Sequence, residues 1–188
     1  AVEITHAAAT TSATIGLDGV VGNGDATTTE DVTLVGAGLT TVIVNTTGAA
    51  SDVEELVVAG ATDVTINAGV NFTADNVGIA TSGTAGTLTI TGAGAVNIGT
   101  IDAGFDTINA ADNTGGVTLI LDAGTDTAVT LGSGADTVST AVTLATSTTL
   151  AVNAGDGTDT LIVTDDADLN AADEGARYTN FETLRYVE

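Results

Sequence analysis

Short apolar runs recur about every ten residues along this chain, and this period constrains the fold more than any other feature of the sequence. In the most regular part, the runs are spaced almost evenly, with centres at Ile98, Ile108, Leu119, Val129, Val138, Leu150 and Leu161. Each run alternates apolar and polar residues, which is typical of a β-strand with one buried face. A fixed short period indicates a repeat architecture, in which like residues stack in columns.

The fold class predicted from this period is all-β, as a parallel β-helix or β-solenoid similar to a β-roll. The alternative is a β-sandwich, which also has many short strands but gains nothing from repeating the same turn. The number of strands per coil stays open. The interval from Asp102 to Asp122 spans about two strand periods, which suggests two strands per coil, whereas the interval from Asp106 to Asp136 spans about three.

The chain is interpreted as one unit over residues 1–188, because a chain of 188 residues suits a single core. It begins with Ala1 rather than Met, so we expect a fragment of a longer protein. Residues 71–86 are rich in Gly, Thr and Ser and are predicted to form an irregular loop. Residues 165–188 are predicted to include a short helix and to cap the solenoid with Tyr178, Phe181 and Tyr186.

The charge of the chain excludes several functions. There are 25 acidic residues against two basic ones, and the formal net charge is -23. Such a surface does not suit nucleic acid or an anionic membrane, and no apolar run is long enough for membrane insertion. The chain has one His and no Cys, so we do not expect an enzyme. Carboxylates in this number repel one another unless cations bind, which makes a bound metal the first hypothesis.

Two turns share the pattern G-x-G-x-D-x-apolar, at Gly132–Val138 and Gly155–Leu161. Glycine permits a tight turn, Asp supplies a hard anionic oxygen, and the apolar residue enters the core. This chemistry suits Ca²⁺, which binds six to eight oxygens. The candidate ligands in these turns are Gly132, Gly134, Asp136, Gly155, Asp156, Gly157 and Asp159.

Two related turns have the form D-x-G-x-D, with a second carboxylate in place of the first glycine. Asp and Gly are also common in tight turns for purely conformational reasons, so one copy would carry little weight. Four acidic turns in one chain favour Ca²⁺ as the cofactor. The further candidate ligands are Asp102, Gly104, Asp106, Asp122, Gly124 and Asp126.

The order GSGADT, NAGDGTDTLIV and NFETLRY resembles the calcium-binding portion of bacterial surface-layer (S-layer) proteins and adhesins of the repeats-in-toxin (RTX) type, exported by type I secretion. The resemblance covers residues 87–187 and implies a secreted structural protein at the cell surface. It also implies that copies self-assemble into a calcium-dependent homo-oligomeric lattice, and that parts outside this segment contact cell-surface polysaccharide. The alternative is a segment of a large calcium-dependent adhesin.

Overall fold

A computed structural model of the chain describes residues 2–21, 31–79, 85–101, 104–121, 128–140, 150–165, 167–170 and 175–187. Within these ranges, 17 strands alternate between two sheets. The nine-stranded sheet contains, in spatial order, β1 (Val2–Thr5), β3 (Val32–Val35), β5 (Ser51–Ala59), β7 (Phe72–Ile79), β9 (Val96–Ile101), β11 (Val117–Leu121), β13 (Thr137–Thr140), β15 (Thr160–Val163) and β17 (Thr183–Tyr186). The eight-stranded sheet contains β2 (Ser12–Leu17), β4 (Thr41–Thr46), β6 (Asp63–Ala68), β8 (Gly86–Gly92), β10 (Phe105–Asn113), β12 (Ala128–Thr130), β14 (Ala151–Asn153) and β16 (Tyr178–Thr179).

Each strand pairs in parallel with the strand two places further along the chain, so one coil of the solenoid contains two strands. This confirms the predicted parallel β-solenoid and decides the number of strands per coil. The strand registers give coils of different length, since Thr118 lies opposite Thr137 whereas Val2 lies opposite the more distant Val32. The pairings between the described strands are all parallel, which does not fit the alternative sandwich.

The core lies between the two sheets and consists of stacked apolar columns. Leu88, Ile108, Val129 and Val152 follow one another in register in the eight-stranded sheet, and each is at most 1% exposed. All seven residues that mark the period in the sequence are buried. The period therefore marks the inward-facing position of successive strands, where each large side chain contributes roughly 1.5–3 kcal/mol through burial.

The prediction of an irregular loop over residues 71–86 is wrong at both ends, because Phe72–Ile79 form strand β7 and Gly86 begins strand β8. Phe72, Ala74 and Val77 are buried there and pack into the core. Small and polar residues separate these positions, which hides the alternation in the sequence. Residues 80–84 lie outside the described part of the chain.

The C-terminal region contains the four-residue helix α1 (Ala167–Asn170) and a 3₁₀ turn at Gly175–Arg177, and then continues both sheets with β16 and β17. Tyr178 and Phe181 are partly buried against the core. Tyr186, the third aromatic residue of the expected cap, is 51% exposed. In the ranges that the structure describes, no helix has the length and apolar character needed to cross a membrane.

Candidate functional site

The two types of acidic turn lie at opposite corners of the solenoid. Both G-x-G-x-D turns are at the corner where the chain leaves the eight-stranded sheet and enters the nine-stranded one. The D-x-G-x-D turns belong to the connections in the other direction, from β9 to β10 and from β11 to β12. Of the residues in these two turns, Gly104 is buried and Asp106 is exposed at the start of β10. The remaining candidates, Asp102, Asp122, Gly124 and Asp126, lie outside the described residues.

The glycines of the G-x-G-x-D turns have a packing role. A Cβ on Gly132 would collide with the carbonyl oxygen of Asn113 in the preceding coil, and one on Gly155 would collide with the carbonyl oxygen of Gly132. Gly155 also has a φ of +88°, which side chains other than glycine rarely adopt. The N–H of Asp156 donates to the carbonyl oxygen of Gly132, at 2.9 Å. These glycines thus let successive turns stack directly on one another.

The aspartates that close these turns form a column inside the corner. Asp136 is 1% exposed and Asp159 is fully buried, because each has the same inward orientation as the apolar residues of the strand that follows it. The N–H of Val117 donates to Oδ1 of Asp136 at 2.6 Å, and the N–H of Asp136 donates to Oδ1 of Asp159 at 2.8 Å. The N–H of Asp159 in turn donates to Oε2 of Glu182, at 2.8 Å. Three acidic side chains in successive coils therefore accept backbone hydrogen bonds across the coil boundaries; this series is called the acidic column below.

Sequence reasoning did not identify Glu182 as part of this column. The sequence feature that indicates Glu182 is its spacing. Glu182 follows Asp159 by the same number of residues as Asp159 follows Asp136. That interval equals the length of one coil here, since Thr137 pairs with Thr160 and Thr160 pairs with Thr183.

The acidic column also leaves buried oxygen atoms without hydrogen bonds. Oδ2 of Asp136 and Oδ2 of Asp159 are both buried and have no hydrogen-bond partner among the residues that the structure describes. A buried polar atom in this state is costly, and most buried polar atoms in proteins are paired. A ligand at this corner would therefore bind to these two oxygens.

Burial raises the pKa of Asp136, and the carboxylate of Asp159 raises it further, while the backbone hydrogen bonds from Val117 and Gly132 act in the opposite direction. Burial likewise raises the pKa of Asp159. The N–H of Asp136 lowers that pKa, and the carboxylates of Glu182 and Asp156 raise it. In the folded chain, these two carboxylates are therefore stabilised when they bind either a proton or a cation.

The residues of the column fit Ca²⁺ in the type of donor they offer. Asp136 and Asp159 would each contribute one hard anionic oxygen to the six to eight that Ca²⁺ takes. In the described ranges, no three or more His, Cys, Asp or Glu residues gather in an arrangement that could hold a metal. Ca²⁺ at this corner stays a prediction.

One depression lies on the outer face of β12 and β14 beside Ala176, Arg177 and Thr179, with a volume of about 190 Å³. This is smaller than typical ligand pockets, which have roughly 300–1,000 Å³. Its lining side chains carry no carboxylate, imidazole or thiol that could act in catalysis.

Comparison of the chain with known protein families, with curated proteins and with solved structures gives no match.

Proposed function

We propose that this chain is a structural component of a bacterial surface layer, a calcium-stabilised β-solenoid whose copies assemble into an extracellular lattice. The observation that carries the calcium dependence is the pair of buried, unpartnered Oδ2 atoms of Asp136 and Asp159. The net charge of -23 supports it, because a chain with two basic residues has few cations of its own to neutralise its carboxylates. The lattice role follows from the resemblance of residues 87–187 to surface-layer proteins.

The mechanism depends on the position of the acidic column between coils. Oδ1 of Asp136 fixes the N–H of Val117 one coil earlier, and Oδ1 of Asp159 fixes the N–H of Asp136. When ionised, the two carboxylates repel each other and lose hydration through burial. A bound divalent cation would supply the compensating positive charge. The stacking of three successive coils would then depend on the cation concentration outside the cell.

The alternative function is a spacer segment of a large adhesin. It is favoured by the regular stacking of strands along one direction. Nine strands in parallel register, at about 4.8 Å per step, give a sheet about 38 Å long. Electron microscopy of the calcium-loaded protein separates the two functions, because a lattice protein forms ordered sheets whereas a spacer stays monomeric.

The experiment that tests calcium dependence compares thermal unfolding, followed by far-UV circular dichroism, in Ca²⁺ and in excess chelator. Each site at ten times its dissociation constant adds about 1.4 kcal/mol of stability. We expect the Asp136→Asn/Asp159→Asn double variant to be more stable than the native chain in chelator, because the buried charges are gone. The same variant should gain less from Ca²⁺.

The matched control is Asp52→Asn, which removes an exposed carboxylate on β5 and should leave the response to Ca²⁺ unchanged. Equal stability of the native chain in Ca²⁺ and in chelator contradicts the proposal. So does a full calcium response in the double variant.

A further inference from the structure

The outer face of the eight-stranded sheet has short, neutral side chains in straight columns. Its central column runs in register through five strands, from β4 to β12, and contains no charged residue. The residues of this column are Ile43, Thr65, Thr89, Asn109 and Thr130. Each lies between two buried positions or beside one on its strand, so its side chain points away from the core.

Two flanking columns make this surface a two-dimensional array. The column on one side contains Thr41, Asp63, Thr87 and Thr107. The column on the other side contains Asn45, Asn67 and Thr91. The registers from β4 to β8 contain no bulge, so like positions repeat at about 4.8 Å across the strands and about 6.7 Å along them. The outward-facing residues of these three columns on β4, β6, β8 and β10 are called the threonine face below.

Hydrogen bonds and side-chain shape fix the groups of the threonine face in position. Nδ2 of Asn67 donates to Oδ1 of Asn45 at 2.8 Å, and Oγ1 of Thr91 donates to Oδ1 of Asn67 at 2.8 Å. Threonine is β-branched, so its χ1 angle has few accessible values. A ligand that requires these groups in a regular array therefore binds with little loss of side-chain entropy.

The threonine face is neutral except for Asp63, although the chain has a formal net charge of -23. It offers hydroxyl, amide and methyl groups in a regular array. A complementary ligand is therefore uncharged, flat and able to form hydrogen bonds at regular intervals. Three ligands have this chemistry, namely a second copy of the same face, a crystalline neutral polysaccharide, and ice.

The size and composition of the face argue against the first two ligands. The outer face from β2 to β14 measures roughly 30 Å by 13 Å, or about 400 Å². Each partner in a standard protein interface buries about 800 Å², so a second copy would gain too little area. Flat polysaccharides are commonly held by aromatic rings that stack on the sugars. Phe72 and Phe105 are buried in the core, and the other three aromatic residues of the chain follow residue 177.

We propose that the threonine face binds ice. The surface of ice is neutral and flat, and the oxygen atoms of its prism faces form a rectangular net with repeats close to those of the rows and columns of this sheet. Each threonine hydroxyl would take the place of one water molecule of the lattice, because it can both donate and accept a hydrogen bond. This inference goes beyond the surface-layer proposal and depends neither on the acidic column nor on a contact between copies.

Thermal hysteresis of the calcium-loaded chain tests the proposal, together with the shape of ice crystals grown in its presence. The native chain should hold the freezing temperature below the melting temperature and should produce faceted crystals. The Thr65→Lys/Thr89→Lys variant should lose both effects, because each ammonium group keeps its own hydration shell and breaks the array. Circular dichroism checks that the variant keeps the native β-rich spectrum. A native chain without thermal hysteresis overturns the inference.

The matched control is Thr118→Lys/Thr137→Lys, which changes the net charge by the same amount. Thr118 and Thr137 lie opposite each other on the outer face of the nine-stranded sheet, where the column beside them contains Ile120 and Ser139. This control should keep the thermal hysteresis of the native chain. Equal loss in the two double variants overturns the assignment of ice binding to the threonine face.

A substitution that completes the array tests the inference in the opposite direction. Asp63→Thr removes the charge from the threonine face and extends the column of Thr41 and Thr87, so thermal hysteresis should increase. Asp52→Thr is the matched control, because Asp52 is an exposed acid on β5 of the nine-stranded sheet. Equal changes in these two variants contradict the inference.

The other two ligands are examined with the same variants. Sedimentation velocity measures pairing of copies, and cosedimentation with microcrystalline cellulose measures binding to a neutral polysaccharide. If the native chain shows either of these but leaves ice growth unchanged, and Thr65→Lys/Thr89→Lys abolishes it, the ice inference is overturned. Thermal hysteresis in a chain that shows neither a calcium response nor sheets would retain the ice inference and overturn the surface-layer proposal.

Discussion

At the corner that leads from the eight-stranded to the nine-stranded sheet, Asp18 and Asn71 in the first half of the molecule are exposed acceptors of backbone hydrogen bonds, whereas Asp136 and Asp159 in the second half are buried ones. Directly before β7, Asn71 accepts the N–H of Ala95 from the next coil at its Oδ1, at 3.0 Å. Directly before β13 and β15, Asp136 and Asp159 accept the corresponding type of backbone hydrogen bond. Asn71 is exposed, whereas both aspartates are buried.

This difference shows which property of the corner side chain the fold requires. The corner needs a side-chain oxygen that pairs with a backbone N–H of a neighbouring coil, and an amide supplies it without a charge. A buried carboxylate supplies the same oxygen but adds a second one, which here has no hydrogen-bond partner in the described part of the chain. The acids therefore exceed the needs of the turn, and this excess supports a role in binding a cation.

The largest expected effect concerns a feature that the two halves share, the close stacking of glycine turns. Gly94→Ala in the first half and Gly132→Ala in the second should each reduce the free energy of unfolding by about 3 kcal/mol, because the added Cβ meets the backbone of the preceding coil. Chemical unfolding followed by circular dichroism measures this. Gly175→Ala is the matched control, since no atom lies within 4 Å of its Cβ position. A large loss at only one of the two corners would show that the halves differ in packing as well as in charge.

The pH dependence of stability should distinguish the halves next. The folded-state pKa of Asp136 and of Asp159 is raised, so the folded chain binds these protons more tightly than the unfolded chain. In chelator, the stability from these groups is fully present below the unfolded pKa of Asp, about 3.9, and is lost as pH rises through the folded pKa. The unfolding temperature should therefore increase as the pH falls from about 7 to about 4. The Asp136→Asn/Asp159→Asn variant should show a smaller increase than the native chain, and an equal increase would assign the effect to the surface carboxylates.

The smallest effect is expected where an acid replaces Asn71 in the first half. Asn71→Asp keeps the oxygen that accepts the N–H of Ala95 and places its charge in an exposed position. The free energy of unfolding should change by less than about 0.5 kcal/mol. The response to Ca²⁺ in thermal unfolding should also stay as in the native chain. A new calcium response in this variant would mean that any acid at the corner binds the ion, so that burial is not what distinguishes the second half.

The candidate site could be predicted from the sequence only in part. The G-x-G-x-D pattern identified Asp136 and Asp159, because a turn that must stack closely selects glycine at fixed places. The intervals between acidic residues gave two conflicting values for the number of strands per coil, because one of the compared pairs joins opposite corners. Asp106 and Asp136 are one and a half coils apart, and the true interval appears only within one corner.

The sequence by itself determined that the chain forms a β-solenoid, because the buried position of each strand requires an apolar residue and so leaves a period that can be read directly. Only the tertiary structure decided which acidic residues share a column, that two strands make one coil, and that Glu182 extends the series. The physical reason is that these relations depend on which residues of successive coils lie opposite each other. Coils of unequal length reach the same register through turns of different length, and a linear pattern does not record that.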